Sequence, residues 1–306
     1  MLGNLGYCRL SLGEYRQAID LYTQALAIAR DIGDRYGEGN ALGNLGECRS
    51  SLGEYRQAID LYTQALAIAR DIGDRQGEGT VLGGLGECRS SLGEYRQAID
   101  LYTPALAIAR DIGDRESEAN VLDGLGRAWL ASGDARQAVL LLEQAVNVAD
   151  TTGDLGPRVT ARSGLARAQL QLGDPAGALA AAGWRHLPYP PEEPAIRVLE
   201  GLALLELHRA GQAEQALTDA LTAAEELLAL ADGNVAALQA RALALSGLAA
   251  VTASPGKATQ AMQAFTQLRA VTTGAGVAAD TRRLLTVIAS HDRAGILSQV
   301  YAAQDR

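Results

Sequence analysis

The string SLGEYRQAIDLYTQALAIARDIGDR, Ser11 to Arg35, recurs unchanged at Ser51 to Arg75 and again at Ser91 to Arg115, with Pro104 standing where the other copies have glutamine. A strict spacing of 40 residues argues against a single globular core, because such a core asks something different of each segment. A solenoid asks the same of every unit, since each packs only on its neighbours. The repeat therefore sets the architecture, and it points to binding rather than to catalysis.

Within the unit 36–75, apolar and small residues recur at helical spacing in two runs. The first carries Ala41, Leu42, Leu45, Gly46 and Cys48, and the second Tyr55, Ala58, Ile59, Tyr62, Ala65, Leu66 and Ala69. Gly53 separates the runs, Gly73 ends the second, and Asp74 is placed to cap the helix that follows. Each unit thus reads as an antiparallel helix pair. Hydrophobic residues make up 48% of the chain and aromatics only 4%, so the core must come from Ala, Leu, Ile and Val at close helix spacing. The expected fold class is all-α, an α-solenoid.

The pattern Leu45-Gly46, Gly53-x-Tyr55, Ala58, Tyr62, Ala65-Leu66 resembles the tetratricopeptide repeat, in which small residues mark the closest approach of two helices. The 40-residue period is similar to the lengthened repeats of kinesin light chains and of the sensor arrays of bacterial signal-transduction ATPases. That resemblance implies a right-handed superhelix with C-terminal capping helices and a concave groove lined by the first helix of each pair. It departs at Arg9, Arg49 and Arg89, where the family usually has an aromatic, so a snorkelling stem is expected there.

The skeleton continues through Leu125-Gly126, Gly133, Ala138 and Ala145, and starts a fifth unit at Leu165-Ala166. Prolines at 188, 190, 191 and 194 forbid a continuous helix. The expected organisation is a repeat array over 1–182, a proline-rich connector over 183–194, with Trp184 and Tyr189 in it, and divergent helix pairs with a cap over 195–306. Ala195 to Leu207 and Gln212 to Ala231 read as a pair around Gly211; Asn234 to Val251 and Lys257 to Val271 as a pair around Ser254-Pro255-Gly256. Thr281 to Ser290 and Arg293 to Ala303 read as terminal caps. The first helix begins at Met1, short of its equivalents near Tyr36 and Gln76, as though cut from a longer protein or covered by a partner.

Gly37, Gly39, Gly43 and Gly46 share one first helix and each costs it about 1 kcal/mol of helical preference relative to Ala. Gly46 has a packing role as the close-approach residue; the others are expected to admit a nearby backbone or to leave the array pliable. Pro104 lies inside a second helix and crowds the carbonyl of Asp100.

The resemblance implies which residues would face a ligand: Asn4 and Tyr7; Asn40, Asn44 and Glu47; Thr80 and Glu87; Asn120, Asp123 and Arg127. Asparagine amides both donate and accept, which suits an extended peptide backbone. Asn4 and Asn44 stand in Leu-Gly-Asn-Leu-Gly strings of the kind that does this in kinesin light chains, and Gly84 and Gly124 break the string later.

A net charge of −9 argues against binding a nucleic-acid backbone, and no run of about 18 apolar residues is evident as a membrane span. The acidic face favours a basic or neutral segment. Cys8, Cys48 and Cys88 occupy one repeat position, too far apart for disulfides, and read as small buried residues rather than metal ligands. His186, His208 and His291 are scattered, and Ser254-Pro255-Gly256-Lys257 lacks the first glycine and the strand of a phosphate loop. The expectation is a non-enzymatic cytoplasmic module without cofactor or metal that binds a protein or peptide, with no nucleic-acid or membrane partner. It would be the ligand-sensing portion of a larger bacterial signalling or defence ATPase; the alternative is a free-standing scaffold whose matching end faces allow head-to-tail self-association.

Overall fold

The computed structural model describes residues 2–11, 14–153, 155–183, 193–272 and 275–304, and these form helices and turns without a strand. Among them are sixteen helices in chain order: α1 (Leu2–Ser11), α2 (Tyr15–Ile32), α3 (Arg35–Ser51), α4 (Tyr55–Ile72), α5 (Arg75–Ser91), α6 (Tyr95–Ile112), α7 (Arg115–Ser132), α8 (Ala135–Thr152), α9 (Leu155–Leu172), α10 (Pro175–Ala182), α11 (Glu193–Glu206), α12 (Ala210–Leu230), α13 (Val235–Thr252), α14 (Pro255–Val271), α15 (Ala275–Ala289) and α16 (Ser298–Gln304). The chain divides into two compact units, Met1–Ala128 and Trp129–Arg306. Of the expected connector, Gly183 ends α10 and Glu193 opens α11; residues 184–192, with Trp184, His186 and Tyr189, lie outside the described residues.

In the first unit, α1 packs on α2, α3 on α4 and α5 on α6; the second helix of each pair also packs on the first helix of the next, and α3 meets α5 directly. The joints explain why the repeats are so alike. At the end of α4, Gly73 takes φ +71°, which an L side chain resists, and the Asp74 amide donates back to Ala69 O at 2.8 Å. The Asp74 carboxylate then accepts from the Gly77 amide at 2.9 Å, satisfying one of the open donors of α5. Glu78, one turn on, is held by Arg70 at 2.9 Å and Arg75 at 2.8 Å. The same bracket recurs at Glu38 with Arg30 and Arg35 and at Glu118 with Arg110 and Arg115.

The turn inside each pair answers the question posed by Arg9, Arg49 and Arg89. Their guanidinium groups pair with Glu14, Glu54 and Glu94, the residues that precede the second helices, the last pair at 2.5 Å. An ion pair across the turn thus stands in the place where the family has an aromatic.

The glycines of the first helices meet side chains rather than a second backbone. A Cβ at Gly46 would stand 2.9 Å from the Tyr62 ring, and one at Gly39 would stand 3.2 Å from Ile68 Cγ2. The helical preference lost at these positions is offset by seating large side chains of the partner helix, Tyr62 alone being 93% enclosed at 7% exposure.

The second unit uses the same device with a different wedge. Leu217 on α12 is fully buried; a Cβ at Gly201 of α11 would lie 2.6 Å from its Cγ, and one at Gly247 of α13 would lie 2.8 Å from its Cδ1. Several details differ from the sequence expectations. The turn before α12 is made by His208 at φ +58°, whereas Gly211 lies inside α12. α15 starts at Ala275, well before Thr281, and residues 293–297 form a turn in which the Asp292 carboxylate accepts from the Ile296 and Leu297 amides at 3.0 and 2.9 Å. α15 packs on α11 and α13, and its Asp280 accepts from Arg167 of α9 at 2.5 Å and from Gln239 of α13 at 2.9 Å.

α13 also corrects the reading that no apolar span is present. Val235–Thr252 is long and apolar enough to cross a membrane by length and composition, yet 61% of that window is buried inside the protein. It packs against α11, α12, α14 and α15.

Candidate ligand-binding face

The residues expected to face a ligand fall on one stripe of each first helix, because positions 40, 44 and 47, and their equivalents 40 residues on, are three or four residues apart. The structure presents most of them. Asn4 and Tyr7 on α1, Asn40 and Glu47 on α3, Thr80 and Glu87 on α5, and Asn120 and Arg127 on α7 are exposed, and Asn44 is half-buried. Thr80 turns its hydroxyl onto its own helix, donating to Gln76 O at 3.0 Å. Asp123 is the exception: it is 6% exposed, with Oδ2 3.2 Å from Arg127 Nε and Oδ1 enclosed without a hydrogen-bond partner.

Three tyrosines, read in the sequence as core alone, tie these residues together. Tyr62 lies across the seam between α3 and α5, its ring edge at Gly46 and its hydroxyl end at Gly84: a Cβ at Gly84 would stand 2.6 Å from Cζ and 2.9 Å from the hydroxyl oxygen. Tyr102 repeats this between Gly86 of α5 and Gly124 of α7, with hypothetical Cβ distances of 2.8 and 2.7 Å. Tyr22 rests its ring edge on Gly6 of α1, and in the register of the repeat its hydroxyl end comes to Asn44. Tyr22 is the most enclosed of the three, at 1% exposure against 7% and 6%, and its hydroxyl has no hydrogen-bond partner.

The charges around these phenols define the electrostatics of the face. Burial first, then nearby Cys48 and Glu47, push the Tyr22 hydroxyl up to about 12. Burial also raises Tyr62 and Tyr102 well above the ordinary phenol; the further contributions to Tyr62 include both Glu47 and Glu87, and those to Tyr102 include Glu87 and Asp123, with Arg127 opposing. Glu47 is exposed, yet protein crowding around its carboxyl and then the charge of Glu87 raise its pKa above the usual carboxylate range. Glu47 and Glu87 therefore sense one another across the Tyr62 seam.

Other candidates resolve differently. Cys48 and Cys88 are buried thiols, Cys48 raised to about 11 chiefly by burial and Cys88 donating to Ser50 Oγ at 3.6 Å, whereas Cys8 is exposed. No cluster of three metal-ligating side chains occurs among the described residues. Of the histidines thought scattered, His208 and His291 come together, ring centroids 6.3 Å apart, with His291 Nδ1 3.7 Å from Glu206. Ser254 is the N-cap of α14, its hydroxyl accepting from the Lys257 amide.

A tetratricopeptide repeat profile matches residues 1–71 and 77–151. These residues are tetratricopeptide repeats. A search of curated proteins finds no match. Among solved structures, a putative kinesin light chain from Podosopora anserina with nearly identical TPR-like repeats shares 22% identity at a TM-score of 0.51, over 60% of this chain and 90% of that one. A Rap protein complexed with Competence and Sporulation Factor shares 16% identity at a TM-score of 0.62, over 95% and 75%. A STAND signal-transduction ATPase with a tetratricopeptide repeat sensor from Pyrococcus horikoshii shares 15% at 0.56, over 99% of this chain but 43% of that one. At these identities the likeness is one of fold, and it extends beyond the matched repeats into the second unit.

Proposed function

We propose that the chain is a protein- or peptide-binding module whose first-helix face in the first unit holds an extended segment. The observation that carries this is the stripe itself: Asn40, Asn44, Asn120, Glu47, Glu87 and Arg127 stand on the faces of successive first helices, where tetratricopeptide units have their ligand groove. The Rap protein captured with its factor supports the reading by fold. Its test is selection of a random peptide library on the whole chain and on Asn40→Ala/Asn120→Ala. Retention of peptides that the variant loses supports it, and equal retention by both overturns the assignment to this face.

The finer reading is that the module is the sensor of a larger bacterial signalling or defence ATPase, which the STAND neighbour supports. The reading frame around the coding sequence tests it: an in-frame NTPase module supports it, and a frame without one overturns it. Against the scaffold alternative, light scattering over a concentration series should give a constant mass, whereas mass growing with concentration would favour self-association.

A further inference from the structure

Glu47 and Glu87 are exposed, occupy the same position on two first helices in direct contact, and make no ion pair among the described residues. Between them lies the Tyr62 phenol, whose hydroxyl end meets α5 at Gly84, one turn before Glu87. The next seam presents Tyr102 at Gly124 in the same way. Where the Leu-Gly-Asn-Leu-Gly string lapses, at Gly84 and Gly124, the hydroxyl end of the phenol thus lies where an asparagine side chain would start.

Two buried polar groups stand beside this face without a hydrogen-bond partner. The Tyr22 hydroxyl, at 1% exposure, comes to α3 beside Glu47 and has no partner; Asp123, at 6%, sits beside Tyr102 with Oδ1 unpartnered. Protein interiors rarely leave such groups unmatched; the first neighbours Glu47 and the second neighbours Tyr102.

We propose that the first-helix face of the first unit takes an extended segment bearing paired cationic side chains, lysine or arginine, with Glu47 and Glu87 as counter-charges and the Tyr62 and Tyr102 hydroxyls as acceptors beside them. The proposal rests on the peptide-binding reading and adds the chemistry of the ligand. Packed helices lie about 8–10 Å apart, and a segment in the polyproline-II form of extended chain advances about 3.1 Å per residue and returns its side chains to the same side every three residues, so the two cations stand at positions i and i+3. The chain's net charge of −9 assists their approach.

The test is fluorescence anisotropy of the whole chain with short synthetic peptides containing Lys-Ala-Ala-Lys or Gln-Ala-Ala-Gln, and with spermine as a peptide-free cation. The lysine peptide should bind about tenfold more tightly than the glutamine one, with a difference that shrinks as salt is raised. Glu47→Gln/Glu87→Gln should abolish that difference without lowering the melting temperature, because it removes a like-charge repulsion. Equal binding of both peptides overturns the cationic specificity and leaves the peptide reading standing. Binding of spermine alone overturns the peptide as source, binding of nothing overturns both readings, and a variant that melts several degrees lower assigns the carboxylates to folding instead.

Discussion

At the residue scale, two glycines touching one ring should not be equivalent. The ring edge of Tyr62 presses on Gly46, and a glycine stands at that position in every tight repeat, so Gly46→Ala forces the ring off its seat and should cost about 1–3 kcal/mol. Gly84 meets the hydroxyl end of the same ring, yet the second repeat carries Asn44 at that position over Tyr22. Gly84→Ala should therefore cost less than about 1 kcal/mol, and urea denaturation of the two variants measures the difference. Carboxylates divide in the same way by neighbours. Hydrogen bonds from Arg30 and Arg70 are the largest reason that Glu38 and Glu78 lie below the usual carboxylate range. A depressed folded pKa gives stability that is present above the unfolded value, about 4.3, and is lost as pH falls through the folded one. Glu38→Gln/Glu78→Gln should then flatten the acid limb of stability between about pH 5 and pH 3 while lowering stability at pH 7, both read from denaturant midpoints. Glu47, raised by crowding and by Glu87, works in the opposite sense, penalising the fold as pH rises through its pKa. The part of the face that the sequence disclosed was its stripe of Asn and Glu, because helical spacing alone places them. The phenols escaped notice because a tyrosine at a core position reads as packing, and only the structure shows that the hydroxyl ends of Tyr62 and Tyr102 reach the next first helix, at Gly84 and Gly124.

At the scale of the element, α6 runs unbroken from Tyr95 to Ile112 through Pro104. The proline is exposed, so its ring meets solvent, but the Asp100 carbonyl loses its backbone donor. In α4 the residue at this position, Gln64, even adds a side-chain donor to the equivalent carbonyl, Asp60 O, at 3.2 Å. Pro104→Gln should accordingly stabilise by up to about 3 kcal/mol, raising the melting temperature by several degrees in a thermal scan; an unchanged melt would remove strain from the account of this helix. Helices with repeated caps were legible to within a residue or two, since Asp34, Asp74 and Gly73 announce their own geometry. Where the caps diverge, the reading slipped. His208 takes a left-handed turn that glycine was expected to make, and α15 begins before the residues that looked helical, because its first turn, Ala275–Gly276–Val277, has no capping signature in the sequence.

At the scale of the whole molecule, two compact units follow one packing rule with different residues. A large side chain on the second helix is seated between glycines of two successive first helices, Tyr62 between Gly46 and Gly84 in one unit and Leu217 between Gly201 and Gly247 in the other. That rule was readable only where the sequence repeats closely; in the second unit no string of letters gives away that Leu217 is the counterpart of a tyrosine. The units also differ in what their first-helix faces do. In the second, Asp280 accepts from both Arg167 and Gln239, whereas in the first, Glu47 and Glu87 are left to solvent, which is why the proposed ligand recognition is placed on the first. The joint at Asp34, Asp74 and Asp114 has a consequence for how such a chain can change. If residues 36–75 were excised, Arg35 would be followed by Gln76, Asp34 would cap Gly77, and Glu78 would find Arg30 and Arg35 in place of Arg70 and Arg75. The capping and ion-pair joint would be rebuilt from identical partners. The length of the proposed recognition surface is thus a quantity that recombination between the near-identical copies can add to or subtract from in whole units, with no new capping joint to be invented at the point of joining.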